Sequence, residues 1–205
     1  MIDSQTSIGD ESGLGSEREL QRRLSLATPA DTVRGLILNT VLQAIREDLG
    51  DAAVARCVEQ CTEKSFQSFF TYPVSEYLRV LYTGAWMLSE KCGGFDNSIR
   101  RMVKELAPGF LSSVVGKAFL LTGIGPRQII SNLPVAFRAT ASFGQCEVRW
   151  TGSRSGLLIT RRDFLLYLSH EGGLQSLFQA LGLSGAWARG RQTGPLDNEV
   201  EFAWE

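Results

Sequence analysis

Histidine occurs once in the 205 residues, as His170, so imidazole chemistry of any kind has a single place to reside. Cysteine is scarce too. Cys57, Cys61, Cys92 and Cys146 could form two bridges, but in a chain of this length whose first residues carry no secretion signal, reduced thiols are expected. Those opening residues, Met1 to Glu11, show neither a basic stretch nor an apolar one, and no later apolar run approaches the ~18 residues that a membrane span requires. The expectation is a cytoplasmic protein without a membrane span. An excess of one charge is also missing: 21 Lys and Arg stand against 22 Asp and Glu, a formal −1, which leaves no global field to attract nucleic acid. Two signature loops are absent. Gly116-Lys117 has Leu111 where a phosphate loop needs glycine and Ala118 where it needs Ser or Thr, and no Gly-x-Ser-x-Gly elbow occurs.

What is present is ordinary core-forming material, 43% apolar and 21% charged, enough for one hydrophobic core. Residues 1–16 are rich in Ser, Gly, Asp and Glu without a period, and read as a flexible tail; residues 17–205 read as a single domain. A helix from Glu17 to Leu26 should stop before Thr28-Pro29. Asp31 is an N-cap candidate for the next helix, whose stripe runs Val33, Leu36, Ile37, Thr40, Val41, Ala44 and Ile45 to Gly50. Asp51 then opens a helix to about Lys64, where Cys57 and Cys61 are spaced as a two-ligand metal edge. They also continue the apolar stripe of Val54 and Val58, and core packing is the expectation because structural zinc wants four ligands.

Phe66, Phe69, Phe70 and Tyr72 read as an aromatic core plug. Pro73 opens the strongest helix, with Val74, Tyr77, Leu78, Leu81, Tyr82, Ala85 and Leu88 on one side and Gly93-Gly94 at its end. A shorter amphipathic helix holds Ile99, Met102, Val103 and Leu106 inward, with Arg100, Arg101, Lys104 and Glu105 as a solvated face. Phe110 to Leu121 is apolar around most of its circumference, as a helix buried on several sides would be. Pro126 opens another helix, and Pro134 to Ser142 carries no clear period.

The last sixty or so residues change rhythm. Cys146, Val148 and Trp150 alternate with Glu147 and Arg149, Thr151 to Gly156 makes a hairpin connection, and Leu157 to Ile159 return. Leu174, Leu177, Phe178 and Leu181 form a helix stripe, then Gly185 to Arg191 and Val200 to Trp204 read as two more strands. The fold expected is α+β: an N-terminal helical layer followed by a ββαββ unit forming a small four-stranded antiparallel sheet.

Three stretches in this segment carry a resemblance: Tyr167-Leu-Ser-His-Glu-Gly-Gly-Leu174, Leu177-Phe-Gln-Ala-Leu-Gly182 and Glu201-Phe-Ala-Trp204. They resemble the closing segment of vinyl-reductase-like domains, which share a fold with haem-based nitric-oxide sensors and with small subunits of the TRAPP tethering complex. Over Glu17 to Glu205 the chain is more similar still to a myxobacterial paralogous family of comparable length with no assigned activity. The stretches that carry this are Asp31-Thr-Val-Arg-Gly35, Phe69-Phe-Thr-Tyr-Pro73 with Tyr77-Leu78, Val115-Gly-Lys117, Trp150-Thr-Gly152 with Ser155-Gly156, Arg161-Arg-Asp-Phe164 and His170-Glu-Gly172.

The resemblance implies a fold more than a chemistry. Haem-binding relatives use a proximal histidine and a Tyr-x-Ser-x-Arg signature, whereas here Tyr167-x-Ser169 is followed by Glu171, a carboxylate that would repel propionate. Zinc-binding relatives use C-terminal cysteines, and the matching turn, Gly194 to Asn198, has none. Neither a cofactor nor a metal is expected. The TRAPP precedent, an apolar tunnel taking an acyl chain on a cysteine, points toward Cys92 without making it a site.

Two functional classes follow, neither of them an enzyme. One is a non-catalytic regulatory or sensory module holding a small hydrophobic or anionic ligand between helices and sheet, lined by Phe70, Tyr82, Trp86 and Phe119. The other is an adaptor that docks a protein partner or forms a homodimer. Six arginines between Glu147 and Arg191 stand against three acids, and Arg149, Arg154, Arg161 and Arg162 together could bind an anion or an acidic partner; the alternative is a solvated sheet surface with local pairs such as Arg162 with Asp163. A hydrolase or transferase centred on His170 is the remaining alternative.

Overall fold

The computed structural model describes residues 13–104 and 125–205. Helix α1 (Glu17–Leu26) begins where Ser16 accepts from Glu19 N–H at 3.1 Å, and it ends at an extended Ala27 before Thr28-Pro29. The next helix, α2 (Gly35–Leu49), starts later than its stripe suggests and is not capped by Asp31. The reason is pairing. Thr32–Arg34 form strand β1, antiparallel to β2 (Thr71–Pro73), with Val33 opposite Tyr72. Asp31 is buried and accepts instead from Thr28 N–H and Oγ1 at 2.8 and 2.7 Å.

Helix α3 (Asp51–Val58) stops well before Lys64, whose Nζ turns back and donates to the carbonyls of Val58, Glu59 and Cys61 at 2.8–2.9 Å. Cationic capping of a helix C-terminus is favourable for these orphan acceptors. Cys57 and Cys61 lie in the core, as their stripe implies, and burial pushes their thiols up to about 11 and about 12.

Helix α4 (Val74–Cys92) is the axis of the helical layer. Tyr77, Leu78, Leu81, Tyr82, Ala85 and Leu88 are all buried on it, against α1, α2, α3 and α5 (Phe95–Val103). The aromatic plug is only partly realised: Phe66 is buried edge-on to Tyr72 at 4.9 Å, while Phe69 and Phe70 stand in water. The apolar segment 110–121, and most of the N-terminal tail, lie outside the described residues. Where one helix with an uncertain continuation is expected after Pro126, two short ones form, α6 (Pro126–Ser131) and α7 (Leu133–Thr140), each with proline in its first turn.

The C-terminal half is a ββαββ unit: β3 (Gln145–Trp150), β4 (Ser155–Arg161), α8 (Tyr167–Ala180), β5 (Trp187–Gly194) and β6 (Asp197–Ala203). The four strands pair antiparallel in the order β3-β4-β6-β5. The fold is therefore α+β, as the sequence pattern implies. On the inner face, Val148, Leu158 and Val200 lie in register, with Phe202 and Ala188 beside them, and they pack on Leu174, Leu177 and Phe178 of α8 and on Ile129 and Ile130 of α6.

Helix α8 begins two turns before its apolar stripe. That early part is buried on more than one side, and Gly172 lets α5 approach: a Cβ there would lie 2.7 Å from Val103 Cγ2 and 3.0 Å from the Arg100 carbonyl oxygen. Among the described residues, no helix is long and apolar enough to cross a membrane.

Candidate functional site

The described interior holds a polar seam where α1, α4 and α8 meet. Successive turns of α1 bring Glu19 and Arg23 to one face, both buried, and the Glu19 carboxylate accepts from Arg23 Nε and from the Tyr82 hydroxyl. Trp86, one turn beyond Tyr82, donates from Nε1 to Gly15 O at 2.6 Å and meets the Tyr82 ring edge-on at 5.8 Å; Phe95 closes the far side at 5.2 Å. Two of the expected pocket residues are thus brought together. Phe70 does not join them, since it lies in the exposed loop before β2, and Phe119 falls outside the described residues.

Deeper along α4, the buried Tyr77 phenol faces Ser169 of α8, with the charges of Asp163 and Arg23 nearby; burial drives its pKa upward, so it stays a neutral hydroxyl. Arg23 Nη1 has no hydrogen-bond partner among the described residues, and Ser169 Oγ has none beyond the Tyr77 hydroxyl it lies beside. Leaving such a group unmatched costs about 1–3 kcal/mol. No motif in the sequence marked Glu19, Arg23 or Tyr77 as a set; the only signal was charge at i, i+4 on a short helix.

His170, on the first turn of α8, is mostly buried and its Nε2 lies 2.6 Å from Asp163 Oδ2. Asp163 is fully buried, and its Oδ1 accepts from Leu165 N–H at 2.8 Å. The pair fixes the imidazole, with Phe137 against it at 6.3 Å, but no hydroxyl or thiol among the described residues is hydrogen-bonded to the ring. Cys146 sits nearby with its thiol pushed up to about 12 by burial, so it remains protonated; Cys92 is half-buried at the end of α4.

The four arginines do not converge. Arg149 pairs with Glu147 at 3.3 Å and Arg161 with Asp197 at 3.5 Å, both on the solvent face of the sheet, where Arg191 likewise meets Glu199. Arg154 lies in the β3–β4 turn, facing a shallow cleft with Arg127, Trp204 and Glu205. Arg162 has left-handed backbone (φ 48°), which turns it out of β4 and away from Asp163. Its guanidinium clamps Asp31 instead, Nη1 and Nη2 reaching the two carboxylate oxygens at 2.6 and 2.8 Å.

Those bonds hold the Asp31 carboxyl at about 2, below its usual 3.8. Because the folded value is the lower one, the stabilisation is present above about pH 4 and is lost as the pH falls through the window down to about 2. Arg162 is about half exposed, so about 1 kcal/mol is expected after screening. Asp31→Asn should therefore unfold at lower urea than the parent at pH 7, and the two chains should converge near pH 2.

A family model described as "Protein of unknown function (DUF2378)" matches residues 26–205. The chain belongs to the DUF2378 family. No curated protein matches it. Solved structures do. An Fe(II) unliganded H-NOX protein from K. algicida aligns with a TM-score of 0.69 at 15% identity, over 84% of this chain and 96% of that one. An H-NOX protein from S. oneidensis in the Fe(II)NO state gives 0.64 at 11%, over 84% and 99%. An oxygen-binding H-NOX domain related to soluble guanylate cyclases gives 0.62 at 11%, over 84% and 95%. At such identities the likeness is one of fold.

Two further structures of similar fold are described through their heme, one of them in the H-NOX family, so the fit of that group to this chain's own residues matters. The residues do not suit it. The one histidine lies on α8 with Phe137 packed against its ring, and the Cys57, Cys61 and Cys146 thiols are held protonated, the form that ligates metal poorly. Glu171, where a cationic clamp would stand, is buried and already accepts from Arg100 at 2.6 Å and from Gly190 N–H. Among the described residues, no group of three or more His, Cys, Asp or Glu side chains is arranged to hold a metal ion.

Proposed function

We propose that this DUF2378 protein is a non-catalytic regulatory or sensory module that takes a small hydrophobic or anionic ligand between its helical layer and the α8–sheet unit. The observation that carries the reading is the buried Arg23 Nη1, without a partner among the described residues, in a polar seam that also holds the Tyr77 and Ser169 hydroxyls. An anionic or carbonyl group would satisfy the Arg23 guanidinium, and the rings of Tyr82 and Trp86 on the same helix would bury an apolar body. The H-NOX-like fold supports a sensing role in general terms. Heme is not the ligand proposed.

Native mass spectrometry of protein purified from its own host tests this directly. A retained small-molecule mass, reduced in Ser169→Ala, is the expected result; Ser169→Ala leaves the Glu19–Arg23–Tyr82 bonds in place, so loss of ligand would not reflect misfolding. A ligand-free chain whose stability Ser169→Ala leaves unchanged or raises would overturn it. Adding hemin to the purified protein should produce no stoichiometric Soret band, and a sharp one would reverse the rejection of heme. The docking reading, a TRAPP-like adaptor or homodimer, is favoured by one feature only, the exposed Phe69–Phe70 pair. A stable ligand-free oligomer would support it.

A further inference from the structure

Phe69 and Phe70 are neighbours in the chain and are 86% and 65% exposed. Their loop is firmly held. Gly35 N–H donates to Phe70 O at 2.8 Å, Leu36 N–H to Ser68 O at 3.1 Å, Phe70 N–H to Gln67 O at 3.1 Å and Gln67 N–H to the Tyr72 hydroxyl at 2.7 Å. Asn39 Nδ2 adds bonds to Phe66 O at 2.9 Å and Ser68 Oγ at 3.3 Å. With Phe66 buried as its anchor, the loop cannot fold the other two rings inward without breaking this set. Two aromatic side chains held outward by so many bonds mark an interaction surface.

The surroundings define its chemistry. Leu36, at the start of α2, and Val135, on α7, are also exposed large apolar residues. Arg34 joins the two sides, donating through Nη1 to Phe69 O and through Nε to Ala139 O at 3.3 Å, and Ala139 is one turn from Val135 on α7. Both acceptors are carbonyls, so among the described residues no carboxylate neutralises the Arg34 charge. Arg138, exposed on the same helix, likewise has no ion-pair partner among the described residues. A projecting aromatic pair beside uncompensated cations is complementary to a soft, negatively charged, amphipathic surface.

We propose that this patch is a lipid-facing anchor, with Phe69 and Phe70 entering the interfacial region of an anionic leaflet while Arg34 and Arg138 lie at the level of its phosphates. The anchor is independent of the interior ligand, and either can fail without the other.

Co-sedimentation of the full chain with vesicles of phosphatidylcholine, alone or mixed with phosphatidylglycerol, tests it. Binding to the mixed vesicles is expected, with roughly tenfold or greater loss of apparent affinity in the double variant Phe69→Ser, Phe70→Ser. That variant should keep its thermal midpoint, because neither ring is packed in the core. Arg138→Glu should weaken binding to the anionic vesicles alone, and added salt should do the same. Absence of co-sedimentation, or binding that the double variant retains, would overturn the proposal. So would a parent dimer in sedimentation velocity that the double variant dissolves and vesicles leave intact, which would assign the patch to a second copy of the chain.

Discussion

Phe202→Ala is expected to lower the unfolding free energy by about 3–5 kcal/mol, the largest loss for any single ring truncated in the sheet core. Phe202 is fully buried on β6, with Trp150 edge-on at 5.5 Å, Phe178 at 6.1 Å and Trp204 stacked at 6.4 Å. Truncation leaves a space that these stiff rings cannot collapse to fill. Chemical denaturation would read the change as a lower midpoint at unchanged slope, and Phe202→Leu should lose less than half as much. Deleting residues 198–205 should go further and remove the cooperative transition altogether, because β6 is hydrogen-bonded to β4 on one side and β5 on the other. A Phe202→Ala cost below about 1 kcal/mol would mean the sheet face is not the packed core described.

Replacing Glu171 with alanine should cost about 3 kcal/mol by a different route. Its carboxylate takes a bond from Arg100 on α5 and another from Gly190 N–H on β5, so one buried side chain joins the helical layer, α8 and the sheet. Alanine strands both donors. Glu171→Gln keeps an oxygen for Gly190 and gives up only the charge, and about half the loss is expected. Glu171→Arg should be the worst of the three, since it sets a second cation against Arg100 at close range. A double-mutant cycle with Arg100→Ala measures the pair directly, and a coupling below about 0.5 kcal/mol would show that the link is only geometric.

Much of the fold was legible where one face of an element is buried and the other is wet. The stripe from Val74 to Leu88 and the alternation from Cys146 to Trp150 each gave the element and its inner side, and the order ββαββ followed. The departures have local causes. Asp31 has the composition of an N-cap, but β1–β2 pairing draws Thr32–Arg34 into a strand and the carboxylate is used by Arg162, 131 residues away, which no local pattern encodes. The start of α8 was hidden because Glu171 is buried by its hydrogen bonds and Gly172 by close approach to α5, so hydrophobic period is silent there. Phe69 and Phe70 read as core because composition assigns aromatics inward; it takes the hydrogen bonds of their loop to hold them out. Of the candidate site, Tyr82 and Trp86 could be named from their helix, whereas Arg23 became visible only once α1 was packed against α4.

The order of strands in the sheet has a consequence for the chain as it leaves the ribosome. The β3–β4 hairpin can form early, yet the flank of β4 that later receives β6 stays bare until Asp197–Ala203 have been made. At roughly 5–20 residues per second, the stretch from Arg161 to Ala203 leaves that flank unpaired for several seconds. Its apolar Leu157, Leu158 and Ile159 are the kind of segment that sticks to another nascent copy. During those seconds the protein should depend most on cellular chaperones.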